Sequence, residues 1–123
     1  MTDQEANQII AEYMGLRVDR YFGSLSMLIV NSSGQSAEVS SYTKSLDALV
    51  PVWEKMAKDI RFWGGIMVYS CIVKGVKQSF DVESNNQDEL HLETYSEDKE
   101  TIQQAAAHAT AKAILELKYT KEF

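Results

Sequence analysis

The sequence predicts an α+β domain, with helices packed on an antiparallel sheet, on three observations. Apolar residues recur at helical spacing near both ends of the chain and in its middle. Runs that are β-branched or that alternate polar with apolar fall between residues 66 and 95. Short connections join those runs, which suits antiparallel strands, since parallel ones need a long crossover. At 123 residues the chain is one domain, 1–123, able to bury roughly two-thirds of its unfolded surface without covalent staples.

Thr2 followed three residues later by Glu5 is a capping box, and Ala6, Ile9, Ile10, Tyr13 and Met14 trace one apolar face. They predict a helix over Asp3–Met14, stopped by Gly15, which can take positive φ. Leu16–Phe22 reads as a surface loop or a short irregular strand. Leu25–Val30 reads as a strand closed by the turn Asn31-Ser32-Ser33-Gly34, and Ala37–Tyr42 is a weakly signalled partner strand.

The stretch Ser41–Met56 is the one around which the rest packs. Ser45 can cap a helix, Asp47 suits its positive end, and Leu46, Leu49, Val50, Trp53 and Met56 form its apolar face. Pro51 lies too deep for a first-turn proline, and its missing N–H would have met the carbonyl of Asp47. A kink or a restart near Asp47 is expected, in a bent core helix ending near Lys58; a sharper reading has the freed carbonyl facing a pocket.

Ile66–Val73 is nearly all apolar, as a central strand should be. A tight turn at Lys74-Gly75 or Gly75-Val76 leads to Gln78–Glu83, whose alternation puts Phe80 and Val82 on the core face. After a polar connection, Ser84–Glu89, a third strand runs from Leu90 to Tyr95. These make an antiparallel meander in a sheet of about three to five strands. The last helix is expected from about Asp98 to about Lys118, with Ile102, Ala105, Ala106, Ala109, Ala113, Ile114 and Leu117 on one side. Its six alanines between Ala105 and Ala113 leave little bulk, so it can lie close to a sheet or to a copy of itself.

Composition limits function. The net charge of −6 argues against duplex DNA and anionic membranes as partners. The charge is segregated, however. Residues 17–77 hold eight basic against five acidic side chains, whereas residues 78–123 hold four against ten. A small anionic ligand can therefore be bound in the middle of the chain, whereas a long polyanion would be repelled by the C-terminal third. No apolar run approaches the roughly 18 residues of a membrane span. The start, Met-Thr-Asp-Gln-Glu, lacks the basic and apolar regions of a signal peptide, so a cytoplasmic protein is expected.

Catalytic patterns are missing. Cys71 is the sole cysteine, and its apolar neighbours make it a buried, inert thiol. The two histidines, His91 on a predicted strand and His108 on the last helix, are far apart and unaccompanied by cysteines, so no metal set is assigned. His108 reads as a helix-surface or interface side chain. Gly64-Gly65 lacks the spacing of a phosphate loop, and the carboxylates of Asp81–Glu100 have no fixed pocket that would make them an acid and base pair. No enzyme, no metal and no cofactor is expected. What remains is a set of cations interleaved with aromatics, Arg17, Arg20, Tyr21, Phe22, Tyr42, Lys44, Arg61 and Trp63, which can stack on a base and pair with phosphate.

The opening Ile9-Ile10-Ala11-Glu12-Tyr13-Met14-Gly15-Leu16, the Tyr42–Met56 helix and the alanine-rich Glu97–Leu117 segment resemble the phage ABA sandwich domain family over most of the chain. The resemblance implies an αβα sandwich in a phage or prophage protein. This chain departs from the family's shorter members in carrying extra strand-like material over Tyr21–Ser41, where an added edge strand or a dimer contact is expected. In that setting a cytosolic, non-enzymatic homodimer or higher homo-oligomer in the infected host is expected, sequestering a nucleotide-derived immune signal of the cyclic nucleotide or cyclic ADP-ribose type. The alternative is an acidic adaptor or inhibitor of a host factor acting through Asp81–Glu100, and a hydrolase of a nucleotide signal is the less favoured third reading.

Overall fold

A computed structural model of the protein describes residues 1–58, 69–74, 77–86, 91–99 and 101–120. Among them the order is α1 (Asp3–Tyr13), β1 (Arg17–Phe22), β2 (Ser26–Val30), β3 (Ser36–Ser40), α2 (Leu46–Lys58), β4 (Tyr69–Lys74), β5 (Lys77–Asn86), β6 (His91–Lys99) and α3 (Ile102–Thr120). The strands form two three-stranded antiparallel meanders, β1-β2-β3 and β4-β5-β6. The fold is α+β with helices on antiparallel sheet, as the sequence predicts, and the strand read at Leu25–Val30, with Arg17–Phe22 and the weakly signalled partner after it, forms a sheet of its own.

The alanine-rich helix is the centre of the molecule. One side of α3 packs against β5 and β6 and another against α1, with a smaller contact to α2. Ala105, Ala106, Ala107, Ala109, Ala111 and Ala113 are all fully buried, and His108 and Thr110 between them are 2% and 0% exposed. Over Ala105–Ala111 the expected one-sided face is thus replaced by burial all round, with exposure returning at Lys112, the pattern of a helix turn enclosed by other elements. Small side chains make this possible, because neighbouring backbones can approach closely only where no bulk intervenes.

The helix also starts later than expected. β6 continues through Lys99, with Asp98 opposite Ser79 and Lys99 opposite Gln78, and Thr101 caps α3 by accepting from the Gln104 amide at 3.1 Å. The acidic residues at 98 and 100 looked like a helix start, but pairing with β5 carries the strand past Asp98. In the same ladder Asp81 stands opposite Ser96 and Glu83 opposite Thr94.

The other two helices keep their predicted caps. In α1, Thr2 Oγ1 accepts from the Glu5 amide and the Glu5 carboxylate accepts from the Thr2 amide, and Gly15 follows at φ 78°. In α2, Ser45 Oγ accepts from the Ala48 amide at 3.2 Å. That helix runs from Leu46 to Lys58 without restarting at Asp47. Asp47 and Pro51 are both exposed, where water can serve the carbonyl that Pro51 leaves unpaired. Its buried residues are Leu49, Val52 and Met56, whereas Val50, assigned to the core face by spacing, is 42% exposed. The Trp53 indole N–H donates to Thr110 Oγ1 at 3.0 Å, and that hydroxyl donates to the Ala106 carbonyl at 2.7 Å. At the other end Lys55 lies over the Tyr13 ring, 4.4 Å from its centroid, and donates to the Tyr13 carbonyl at the end of α1. No helix among the described residues is long and apolar enough to cross a membrane.

Enclosure of α3 sets a test. Ala109→Leu should force its neighbours apart and lower stability by about 1–3 kcal/mol, the usual cost of overpacking, read as a lower urea midpoint. A midpoint equal to that of the wild type would mean that Ala109 is not enclosed.

Candidate functional site

Two regions concentrate functional chemistry: the outer face of the first sheet, and a polar cluster that joins α1 to the rest. The sheet face depends on a bulge. Val18 pairs with Ile29 and Arg20 with Leu28, so Asp19 is the extra residue of β1. In a regular strand, positions three apart point to opposite faces. The inserted residue restores Arg17 and Arg20 to the same face, with Phe22 beside them. Their cross-strand partners on that face are Val30, Leu28 and Ser26. Arg17, Arg20 and Phe22 are exposed, with Leu28 and Val30 half-buried between them. Arg17 Nη1 also meets Asp19 Oδ1 at 3.3 Å in an exposed pair, of the kind that contributes little to stability and yields readily to another anion.

Val18 and Tyr21 take the inner face with Ile29, Met27 and Val39, all packed on or within the core. Tyr21 donates its hydroxyl to the Gln4 carbonyl of α1 at 2.9 Å, and partial burial pushes its phenol pKa up. Tyr21 is therefore a strut between sheet and helix and stands on the opposite side from Arg17, Arg20 and Phe22. Tyr42 is 6% exposed, its phenol likewise pushed up by burial, and it has no free ring face on which a base could stack. Lys44 is half-buried and its charge acts on Asp3. Arg61 and Trp63 lie outside the described residues. Of the eight residues named from the sequence, three share one accessible surface.

The polar cluster escaped the sequence reading. Asn7 is 2% exposed on the core side of α1. Its Nδ2 donates to the Asp3 carbonyl at 2.9 Å and to Thr43 Oγ1 at 3.2 Å. Its Oδ1 accepts from the amides of Tyr42 at 2.8 Å and Thr43 at 3.3 Å. Both donors and both acceptor positions of the carboxamide are used. One signal was available: Asn7 interrupts the buried stripe at the spacing of Ile10 and Ala11, and a polar residue there must find partners.

Next to it, the Asp3 carboxylate accepts from Gln104 Nε2 at 3.2 and 3.0 Å and lies 2.7 Å from His108 Nε2. A carboxylate only accepts, so the proton of this bond sits on His108 Nε2. His108 is therefore a buried, partnered side chain, and not the surface or interface residue expected, because α3 has no exposed side there. Partial burial alone would raise the Asp3 pKa. The hydrogen bonds from His108 and Gln104, with the charges of His108 and Lys44, outweigh it and leave the pKa below its ordinary 3.8.

No group of three or more His, Cys, Asp or Glu side chains among the described residues is placed to hold a metal. Comparison with family models, with curated proteins and with solved structures finds no match for this chain.

Two outcomes follow from the cluster. Asn7→Ala should strand the buried amides of Tyr42 and Thr43 and cost at least ~2 kcal/mol; an unchanged urea midpoint would show that water replaces the carboxamide. Because the Asp3 pKa is lower in the folded state, Asp3 stabilises the fold above about pH 3.8, and that contribution is lost as pH falls through the lowered value. The acid-induced fall in unfolding midpoint should therefore be smaller in Asp3→Asn than in the wild type, and an equal fall would remove Asp3 as its source.

Proposed function

We propose that the protein is a non-enzymatic binding protein for a small nucleotide-type anion, held on the outer face of the first sheet. The observation that supports this is the bulge at Asp19, which collects Arg17, Arg20 and Phe22 on one exposed surface. The two guanidinium groups can take phosphate oxygens by charge-assisted, bidentate hydrogen bonds, and the Phe22 ring offers a face to a base. Leu28 and Val30 between them supply apolar floor. A single sheet face is open, so sequestration needs a cover, and a second copy of the chain laid on the same face would provide it as a homodimer. In the phage setting that the sequence resembles, the ligand is a nucleotide-derived immune signal of the cyclic nucleotide or cyclic ADP-ribose type, and the site of action is the cytoplasm of the infected host.

The test is depletion and release. The purified protein is incubated with a panel of cyclic di- and trinucleotides and cyclic ADP-ribose isomers, then heat-denatured, with free nucleotide measured before and after. One panel member should be depleted and then returned intact. Arg17→Ala and Arg20→Ala should each weaken its binding by roughly tenfold or more, the scale of one lost hydrogen bond to a charged group, with the fold unchanged by circular dichroism. No depletion across the panel would end this reading for those ligands, and depletion followed by recovery of a cleaved product would convert the protein into an enzyme.

A further inference from the structure

The register of the first sheet fixes a charge pattern across its outer face. β2 pairs with β1 on one side and β3 on the other, so Arg20, Leu28 and Glu38 stand in one row across the three strands, with Val30 beside Leu28 on the middle strand. Met27, Ile29 and Val39 take the core side. Ser26 Oγ donates to Glu38 Oε1 at 2.9 Å across the same outer face and holds the carboxylate there. Arg20 and Glu38 are exposed and Leu28 and Val30 half-buried. The face therefore has an apolar middle strand, a basic edge on β1 and an acidic residue on the β3 edge. An apolar centre within a polar rim is the anatomy of a protein–protein interface.

The separation of charge points to the occupant. An acidic partner would be repelled at Glu38, and a basic one at Arg17 and Arg20. A face with opposite signs on its two edges fits its own image. Two copies stacked face to face about a two-fold axis can meet in two ways. With the axis along β2, that strand lies over its own copy, and β1 lies over β3 of the second copy. Arg20 of each chain then faces Glu38 of the other, while Leu28 meets Leu28 and Val30 meets Val30. With the axis across the strands, β1 lies over β1, and the arginines meet arginines. Like charges brought together across an interface are strongly unfavourable, so the pattern selects the axis along β2. Sheets stack with their strands within about 30° of each other, and that arrangement keeps the two β2 strands nearly aligned.

We infer that the outer face of the first sheet is a self-association surface, on which a second copy of the chain packs about a two-fold axis along β2, with Arg20 of each copy on Glu38 of the other. The inference gives a geometry to the cover that the nucleotide-anion reading calls for and rests on that reading for its purpose alone, since the pairing of the faces needs no ligand. Arg17 falls opposite Ser36 of the second copy and meets no carboxylate there, so the dimer leaves it for an anion. The face is small. Strands ~4.8 Å apart with a rise of ~3.4 Å per residue make it roughly 15 by 17 Å, short of the ~800 Å² per partner of a standard interface. The dimer is accordingly reversible and depends on concentration.

The full chain, free of nucleotide, is followed by sedimentation equilibrium from micromolar to millimolar concentration. Its mass should rise from that of one chain toward that of two. Arg20→Glu and Glu38→Arg should each weaken the association by roughly tenfold or more, because each sets like charges against one another twice across the axis. The double variant Arg20→Glu/Glu38→Arg restores opposite charges and should associate as the wild type does. Both positions are exposed, and circular dichroism should show all three variants folded.

A monomer throughout the range would overturn the inference. So would single variants that associate like the wild type, or a double variant no better than the singles. Because nucleotide is absent, failure here leaves anion binding to be judged by depletion alone, and failure of depletion leaves the self-association standing.

Discussion

The structure depends on enclosing a stretch of helix, Ala105–Ala111, in which five of seven side chains are methyl groups. Alanine contacts are close but carry little direction, since burial of apolar surface rewards area and not orientation. A helix covered with alanine can slide or rotate against its neighbours with small loss. The two polar side chains inside the enclosed stretch of α3 remove that freedom. His108 requires a partner and finds Asp3 in the first turn of α1, and Thr110 requires one and finds the Trp53 indole of α2. Both are nearly or fully buried, so leaving either unpaired would cost on the order of 1–3 kcal/mol. Each bond ties one of the other helices to a fixed height and rotation on α3.

The same reasoning explains how the first sheet is attached. It contributes Met27 to the core and half-buried Val18, Ile29 and Val39 around it, a modest apolar area for three strands. Directional bonds make up for this. Tyr21 reaches the Gln4 carbonyl from β1, and Asn7 holds the backbone of Tyr42 and Thr43 just after β3. α1 thus grips the sheet by its first strand and by the segment that follows its last strand. The cluster around Asp3 and Asn7 is where the α3 connection and the sheet connection meet on successive turns of one short helix. A polar core of this kind is valuable when complete, and Ser41 Oγ is the member left without a partner among the described residues.

How much of this was legible in the sequence divides by range. The capping box of α1, the Ser45 cap of α2 and the glycine after α1 are decisions made within four residues, and local chemistry settles them. The meander β4-β5-β6 was legible because its strands are strongly patterned. The start of α3 was not, since the ladder with β5, some twenty residues earlier in the chain, outweighs the acidic start signal at Asp98. Val50 and Val52 are alike in chemistry and both fit helical spacing, Val50 with Leu46 and Trp53 and Val52 with Leu49 and Met56; the fully buried side is the second. The role of His108 was hidden for a related reason: an alanine-rich pattern with no charged stripe looks one-sided until partners are found for every side. For the candidate surface, composition pointed to Arg17, Arg20 and Phe22, but whether they share a face turned on one inserted residue. Bulges leave no reliable mark in a strand this short, and Tyr21, adjacent to Phe22, was carried to the wrong side by the same ambiguity.

β1 is consequently a wall with two different sides. Its outward residues offer charge and an aromatic ring; its inward residue Tyr21 offers a single oxygen already engaged with α1. A ligand on the outer side can influence the inner one only by moving the strand between two discrete positions, because coupling requires an element with two states. The bond from Tyr21 to Gln4, the anchored backbone at residues 41–43 and the side chains packed on Met27 hold β1 from within. The bulge at Asp19 is the place where the strand can yield, since it is there that the ladder with β2 is interrupted. Anion binding at Arg17 would compete with Asp19 for the same guanidinium and would act directly on that weak point. Tyr21, two residues further along, is locked to α1 on the inner side. So long as the Tyr21–Gln4 bond is made, the inner side of β1 stays tied to α1.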